Sequence, residues 1–384
     1  MTDVTVILWG DRSDAINFGS SGETVILIGS ARLAATIRGQ FGFTANTVIV
    51  AGEAAPGRGF GMSNTIHLRS LNGVGDNVVA VTGTGAVFAG PGGSAVALEG
   101  SGNLLQNAGQ MVGGSGVVGI NWQDGSVENH GTILGMRQAG VWLLEGGADN
   151  RILNTGTITG VGGIMLDNAS PTIINTGEIL SNTPQVAAIH GAVAIAGFTL
   201  RNSGEITGFG EAILGSSFAD RVVNTGIITG DVVLGGGDDV YRGRLGSLDG
   251  ALRGGAGNDT LLAGQGDDGL FGDAGRDSLD GGVGDDTLAG GTGSDVFVIG
   301  RGSGDDLVAD FQDGFDIIDL RAFHVNAFGA AGLRVTDGAG GILLDLTELG
   351  GGTMVLRGMT AGMLDSGDLL IRRPSGQSGH RTDG

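Results

Sequence analysis

From Gly254 to Val298 the chain falls into five consecutive nonapeptides: GGAGNDTLL, AGQGDDGLF, GDAGRDSLD, GGVGDDTLA and GGTGSDVFV. The sixth position is Asp259, Asp268, Asp277, Asp286 and Asp295, and the eighth is Leu261, Leu270, Leu279, Leu288 and Phe297. A divergent copy, LGGGDDVYR, places Asp239 and Tyr241 equivalently. A fixed period this short admits few folds. Each unit is one turn and one short strand, and it buries its apolar residue only by stacking on its neighbours. Two nonapeptides close one coil of about eighteen residues. Asp259, Asp277 and Asp295 then stack on one side, and Asp268 and Asp286 on the other.

A second, looser repeat precedes the first. Its form is apolar-x-Asn-x-Gly-x-Ile-x-Gly, as in VENHGTILG, ILNTGTITG, IINTGEILS, LRNSGEITG and VVNTGIITG, with a weaker copy LQNAGQMVG. The Asn residues are Asn107, Asn129, Asn154, Asn175, Asn202 and Asn224. A spacing near 22 residues suits one coil of a parallel β-helix. Strict alternation would put Asn224 on the same face as Val222, so the Asn is expected at a bend, bonding the equivalent Asn one coil away. The Gly after it supplies a left-handed conformation or a close backbone approach. Farther upstream, GETVILIGS, ANTVIVAGE, NTIHLRS and DNVVAVTG read as more strand-turn units and extend the solenoid to near residue 1.

Composition agrees. Gly is 81 of 384 residues, Pro only 5, and hydrophobic residues 40%, which excludes collagen and a disordered linker and fits a repetitive all-β chain. Cys is 0, so no disulfide staples the fold, and a metal becomes an attractive stabiliser. All 20 basic residues are Arg. Of the 41 acidic residues, 25 lie in residues 231–384, against 11 Arg, and net charge is −21 overall. Cations are the natural partners of such a surface, and nucleic acid is not.

The nonapeptide spacing gives that acidity a chemistry. Gly at positions two and four lets the backbone curl until carbonyl oxygens point inward, and the Asp adds a carboxylate. Calcium takes six to eight such oxygens in flexible geometry. The expected metal-binding residues are Asp239, Gly255, Gly257, Asp259, Gly264, Gly266, Asp268, Gly275, Asp277, Gly282, Gly284, Asp286, Gly291, Gly293 and Asp295. Several ions, each between stacked turns, would be shared by neighbouring coils. Without them the carboxylates repel one another.

This pattern resembles the RTX family of calcium-binding β-rolls, and GDDLVADFQDGFDIIDL (residues 304–320) with LDSGDLLI (residues 364–371) resembles the cap that follows such repeats in type I-secreted proteins. The resemblance implies export by a dedicated transporter that reads the C-terminal region. It agrees with an N-terminus, MTDVTVILWGDRSD, that shows no ordinary signal peptide. The expected order is a parallel β-helix over 1–233, a calcium-binding parallel β-roll over 234–300, a β-rich cap and secretion region over 301–371, and a disordered tail over 372–384.

The solenoid is where a further activity would sit. It has no HExxH and no G-x-S-x-G, which argues against the protease and lipase relatives. Mannuronan epimerases also pair a β-helix with RTX modules. The titratable candidates are His130, His190, Asp149, Asp167 and Asp220, and the ordinary reading of the three Asp is that of turn residues capping a coil. No catalytic residue is assigned. The Asn-Gly repeats resemble β-helical passengers of bacterial adhesins. The favoured expectation is a secreted, extracellular or cell-surface structural or adhesive protein, facing a polysaccharide or a cell surface. The alternative is a polysaccharide lyase or uronate epimerase acting on an acidic glycan.

Overall fold

The computed structural model describes residues 76–371 apart from 146, 325–331 and 339, together with short strand segments between residues 5 and 68. The expected disordered tail, 372–384, lies outside the described residues. Strands dominate, and the helical elements among the described residues are two short 3-10 turns, Arg321–Phe323 and Thr347–Leu349. The chain divides into two compact units, residues 1–237 and 238–384.

The first unit is a parallel β-helix with three strands to a coil. One ladder runs through Val78–Val81, Leu104–Asn107, Ser126–Asn129, Ala148–Asn154, Ser170–Asn175, Thr199–Asn202 and Arg221–Asn224. A second passes through Glu53–Ala54, Ala86–Phe88, Gln110–Gly113, Thr132–Gly135, Thr157–Gly160 and Glu178–Ser181. A third passes through Ser94–Glu99, Ser115–Ile120, Val141–Leu144, Ile164–Asp167 and Ile189–Val193. The upstream units deliver Thr24–Leu27, Thr47–Val50 and Ile66–Leu68, also paired in parallel. Alternation buries one residue in two. Leu105, Val127, Ile152, Ile173, Leu200 and Val222 stack at the same register and are fully buried. Each such side chain contributes about 1.5–3 kcal/mol on burial, and it does so only because the coils above and below cover it.

The conflict over Asn224 resolves at a corner. Both Val222 and Asn224 point inward, and the chain turns directly after the Asn. Asn107 Nδ2 donates to Asn129 Oδ1 at 2.8 Å, and the same bond repeats from Asn129 to Asn154, Asn154 to Asn175, Asn175 to Asn202 and Asn202 to Asn224. The second amide hydrogen reaches backbone carbonyls, as from Asn154 to Gly156 and Glu178. A polar core is stable only when its groups are paired in this way. The Gly two residues on serves close approach, because a Cβ on Gly156 would overlap the carbonyl oxygen of Gly131 one coil back.

The second unit uses two strands to a coil. Thr260–Gln265, Ser278–Val283 and Val296–Val298 stack on one side, and Ala251–Ala256, Gly269–Ala274 and Thr287–Ala289 on the other. The register Thr260↔Ser278 and Gly269↔Thr287 confirms two nonapeptides to a coil. Tyr241, Leu252, Leu261, Leu270, Leu279, Leu288 and Phe297 fill the space between the two sides. The roll ends in a mixed arrangement: Asp305–Val308 pairs in parallel with Thr353–Arg357, which carries Gly341–Asp345 and Arg334–Gly338 antiparallel.

Candidate metal centre

Each sixth-position Asp sits one residue before a strand, at the corner where a turn feeds into a sheet. Asp239, Asp259, Asp268, Asp277, Asp286 and Asp295 are all buried, none more than 4% exposed. Their carboxylates form two columns of hydrogen bonds, each accepting the backbone N–H of the equivalent Asp one coil back. Asp239 N–H donates to Asp259 Oδ1, Asp259 N–H to Asp277 Oδ1 and Asp277 N–H to Asp295 Oδ1, at 2.8–2.9 Å. On the other side Asp268 N–H donates to Asp286 Oδ1 at 2.8 Å. That donor uses one oxygen. Asp259 Oδ2, Asp277 Oδ2, Asp286 Oδ2, Asp295 Oδ2 and Asp268 Oδ1 are buried and receive no hydrogen bond.

Five buried carboxylate oxygens without a donor cannot be stable as anions alone. Burial accordingly pushes Asp277 and Asp286 up to about 7, and Asp259 and Asp268 to about 6. Desolvation is the main cause. The backbone N–H bonds oppose it, and neighbouring aspartates add to it, Asp259 and Asp295 acting on Asp277. Desolvation raises Asp295 as well. The chain has no Lys and no Cys, and among the described residues no three His, Asp or Glu side chains converge on one point. A cation held here would meet one or two carboxylates and need carbonyl oxygens to complete its shell, a donor set that a hard ion such as calcium prefers and zinc does not.

Glycine serves this site in two ways. Positions two and four are left-handed in most turns: Gly255 and Gly257 at φ 110° and 134°, Gly282 and Gly284 at 111° and 139°, Gly291 and Gly293 at 91° and 145°, and Gly266 and Gly275 at 110° and 138°. Gly264 stays outside that region, and Asp273 takes the second position of its turn at φ 72°. Position one, which the motif reading passed over, makes room for the carboxylate. A Cβ on Gly254, Gly272, Gly281 or Gly290 would overlap the Oδ2 of the Asp five residues on.

The columns also run beyond the nonapeptides. Asp286 N–H donates to Asp306 Oδ1 at 3.1 Å and Asp295 N–H to Asp316 Oδ1 at 2.9 Å, so neither Asp286 nor Asp295 ends its column. Asp306 is raised to about 6, and both are buried. Their spacings of 20 and 21 residues break the eighteen-residue period. The signal was Gly two residues before and an apolar residue two after: Gly304, Asp306, Val308 and Gly314, Asp316, Ile318. Fifth-position side chains form an outer ladder of their own, Asp285 N–H to Asp267 Oδ1 and Asp305 N–H to Asp285 Oδ1.

The titratable candidates of the first unit do not assemble. His130 Nδ1 lies 2.7 Å from Thr155 Oγ1. Asp167 Oδ2 accepts the Trp142 indole N–H. Asp149 is a left-handed turn residue at φ 69°. His190 stands beside Met165 and Leu214 on neighbouring strands. Asp220 is a buried corner carboxylate holding the Phe198 and Ser216 N–H groups.

Comparison with known proteins agrees with the geometry of the roll. Residues 249–279 and 270–297 match the RTX calcium-binding nonapeptide repeat, so this segment carries RTX repeats. No curated protein matches the chain. Among solved structures, the AlgE6R3 subunit of the Azotobacter vinelandii mannuronan C5-epimerase is 25% identical over 44% of this chain and 88% of its own, with a TM-score of 0.24.

Proposed function

We propose that the second unit is a calcium-dependent roll, completed outside the cell after type I export, and that the first unit is a structural or adhesive surface. The observation that carries the calcium assignment is the set of buried, donor-less oxygens on Asp259, Asp268, Asp277, Asp286 and Asp295. Asp239 and the glycines of positions two and four complete the turns that hold the ions. An ion that binds only the folded state stabilises it by mass action. Low cytosolic calcium keeps the roll open for passage through a narrow transporter, and external calcium closes it. Among the described residues no helix is long and apolar enough to cross a membrane.

The surface of the first unit supports adhesion over catalysis. A shallow groove runs across successive coils, lined by Thr155, Thr157, Thr176, Glu178, Ser203 and Glu205. Small hydroxyls and two carboxylates suit a polysaccharide or a cell surface.

Deleting residues 301–384 should abolish appearance of the protein in the medium of a host carrying the transporter while leaving expression intact. Deleting residues 1–20 should not. Normal secretion of the C-terminal deletion would refute the export route.

A further inference from the structure

The corner carboxylates are of two kinds. Asp259, Asp277, Asp286 and Asp295 each keep one buried oxygen without a donor. Asp316 keeps none: Oδ1 accepts the Asp295 N–H at 2.9 Å and Oδ2 the Gln312 N–H at 2.8 Å. Asp220, in the other unit and outside the nonapeptides, repeats that closure. Its Oδ1 accepts the Phe198 N–H and its Oδ2 the Ser216 N–H, both at 2.7 Å.

One backbone feature separates the two kinds. The residue four places before the Asp is left-handed in these four turns: Gly255 at φ 110°, Asp273 at 72°, Gly282 at 111° and Gly291 at 91°. In the closed turns that place is held by Ser216 and Gln312, neither of them left-handed. The N–H follows the backbone. At Gly291 it is directed to Asp310 Oδ2 at 2.9 Å, away from Asp295. At Gln312 and Ser216 it turns inward and caps the corner carboxylate. The protein donor thus occupies the lone pairs that a cation would take.

We propose that the backbone conformation at the second position selects which turns bind calcium, and that Asp220 and Asp316 are metal-free corners in which a backbone N–H stands in for the ion. This rests on the calcium reading above. Asp268 falls between the two kinds, since Gly264 is not left-handed. Gly264 N–H reaches its Oδ2 only at 3.3 Å, and its Oδ1 has no donor.

The test uses the full chain and calcium alone. Bound ions are counted by native mass spectrometry, and the calcium midpoint of folding is read by circular dichroism. Asp295→Asn should lose at least one ion and raise the midpoint about tenfold or more, the effect of one charge-assisted contact. Asp316→Asn and Asp220→Asn should keep the wild-type ion count. An ion lost from either overturns the proposal. Should a variant fail to fold, anomalous scattering from calcium-grown crystals of the wild type decides instead. Ions beside Asp277 and Asp295 but none within about 2.6 Å of Asp316 or Asp220 is the expected map, and an ion on either overturns the assignment. A wild type that binds no calcium at all would instead sink the underlying reading.

Discussion

Withdrawing calcium at about pH 7.5 should unfold much of residues 238–371, and acidifying the calcium-free protein to about pH 5 should restore part of that structure. The ordinary aspartate value is 3.8, and folding raises Asp259, Asp268 and Asp306 to about 6 and Asp277 and Asp286 to about 7. A carboxyl whose pKa is raised on folding favours the fold fully below its unfolded pKa. That contribution is lost as pH climbs through the folded value. Without metal, stability of the roll therefore falls between about pH 4 and about pH 7. With calcium the sign reverses, because the ion binds the ionised form and acid competes with it. Hydrogen exchange resolved by mass spectrometry assigns the protected segments. Protection of 260–298 that is unchanged by EGTA at neutral pH, or that drops on mild acidification in EGTA, would contradict this account.

Gly275→Ala should be among the most damaging single-methyl changes in the roll. Gly275 lies at φ 138°, a region that residues with a Cβ enter at a cost of about 1–3 kcal/mol. An added Cβ would also overlap the carbonyl oxygen of Gly257 in the coil beneath, and that oxygen is backbone with nowhere to retreat. Gly266 supplies the control. Its φ is 110°, yet a Cβ there meets nothing within 4 Å. Gly266→Ala therefore carries the conformational cost alone, and Gly275→Ala adds separation of two coils. The expected result is calcium-driven folding of the Gly266 variant at a raised midpoint, and loss of it at millimolar calcium in the Gly275 variant, read by circular dichroism. Equal midpoints would mean that the coils are not in contact at this register.

The columns were legible because the repeat is literal. Five Asp at a constant interval, each with an apolar partner two residues on, leave no other way to bury Leu261 and Leu279 together. The Asn corner was legible for a related reason: Val222 and Asn224 share one face, and a buried amide repeated coil after coil must bond its own kind. Three strands to a coil were not legible, because the period near 22 counts the residues of a coil and not its corners. Asp306 and Asp316 escaped because lengthened turns shifted the spacing while keeping the local Gly and apolar neighbours. The open and closed carboxylates could not be separated by residue type at all. Ser216 and Gln312 differ from Gly282 in backbone conformation, and Asp273 adopts the open form without being Gly.

The Asn ladder has a consequence for chemical ageing. An Asn amide is lost when the next residue's backbone nitrogen attacks its side-chain carbonyl and a succinimide ring closes. In the corners of the first unit that nitrogen is already committed: His130 N–H bonds Asn107 O at 2.6 Å, Thr155 N–H bonds Asn129 O at 2.7 Å, Thr176 N–H bonds Asn154 O at 2.8 Å and Ser203 N–H bonds Asn175 O at 2.8 Å. The attacked amide is held by the coils on either side. The ring cannot close without breaking a coil open, so Asn129, Asn154, Asn175 and Asn202 should keep their amides for as long as the solenoid stays wound. Peptide mapping of protein incubated at mildly alkaline pH would show it. Conversion at these positions in the native chain as fast as in the urea-unfolded chain would mean that the corners open far more often than their bonding allows.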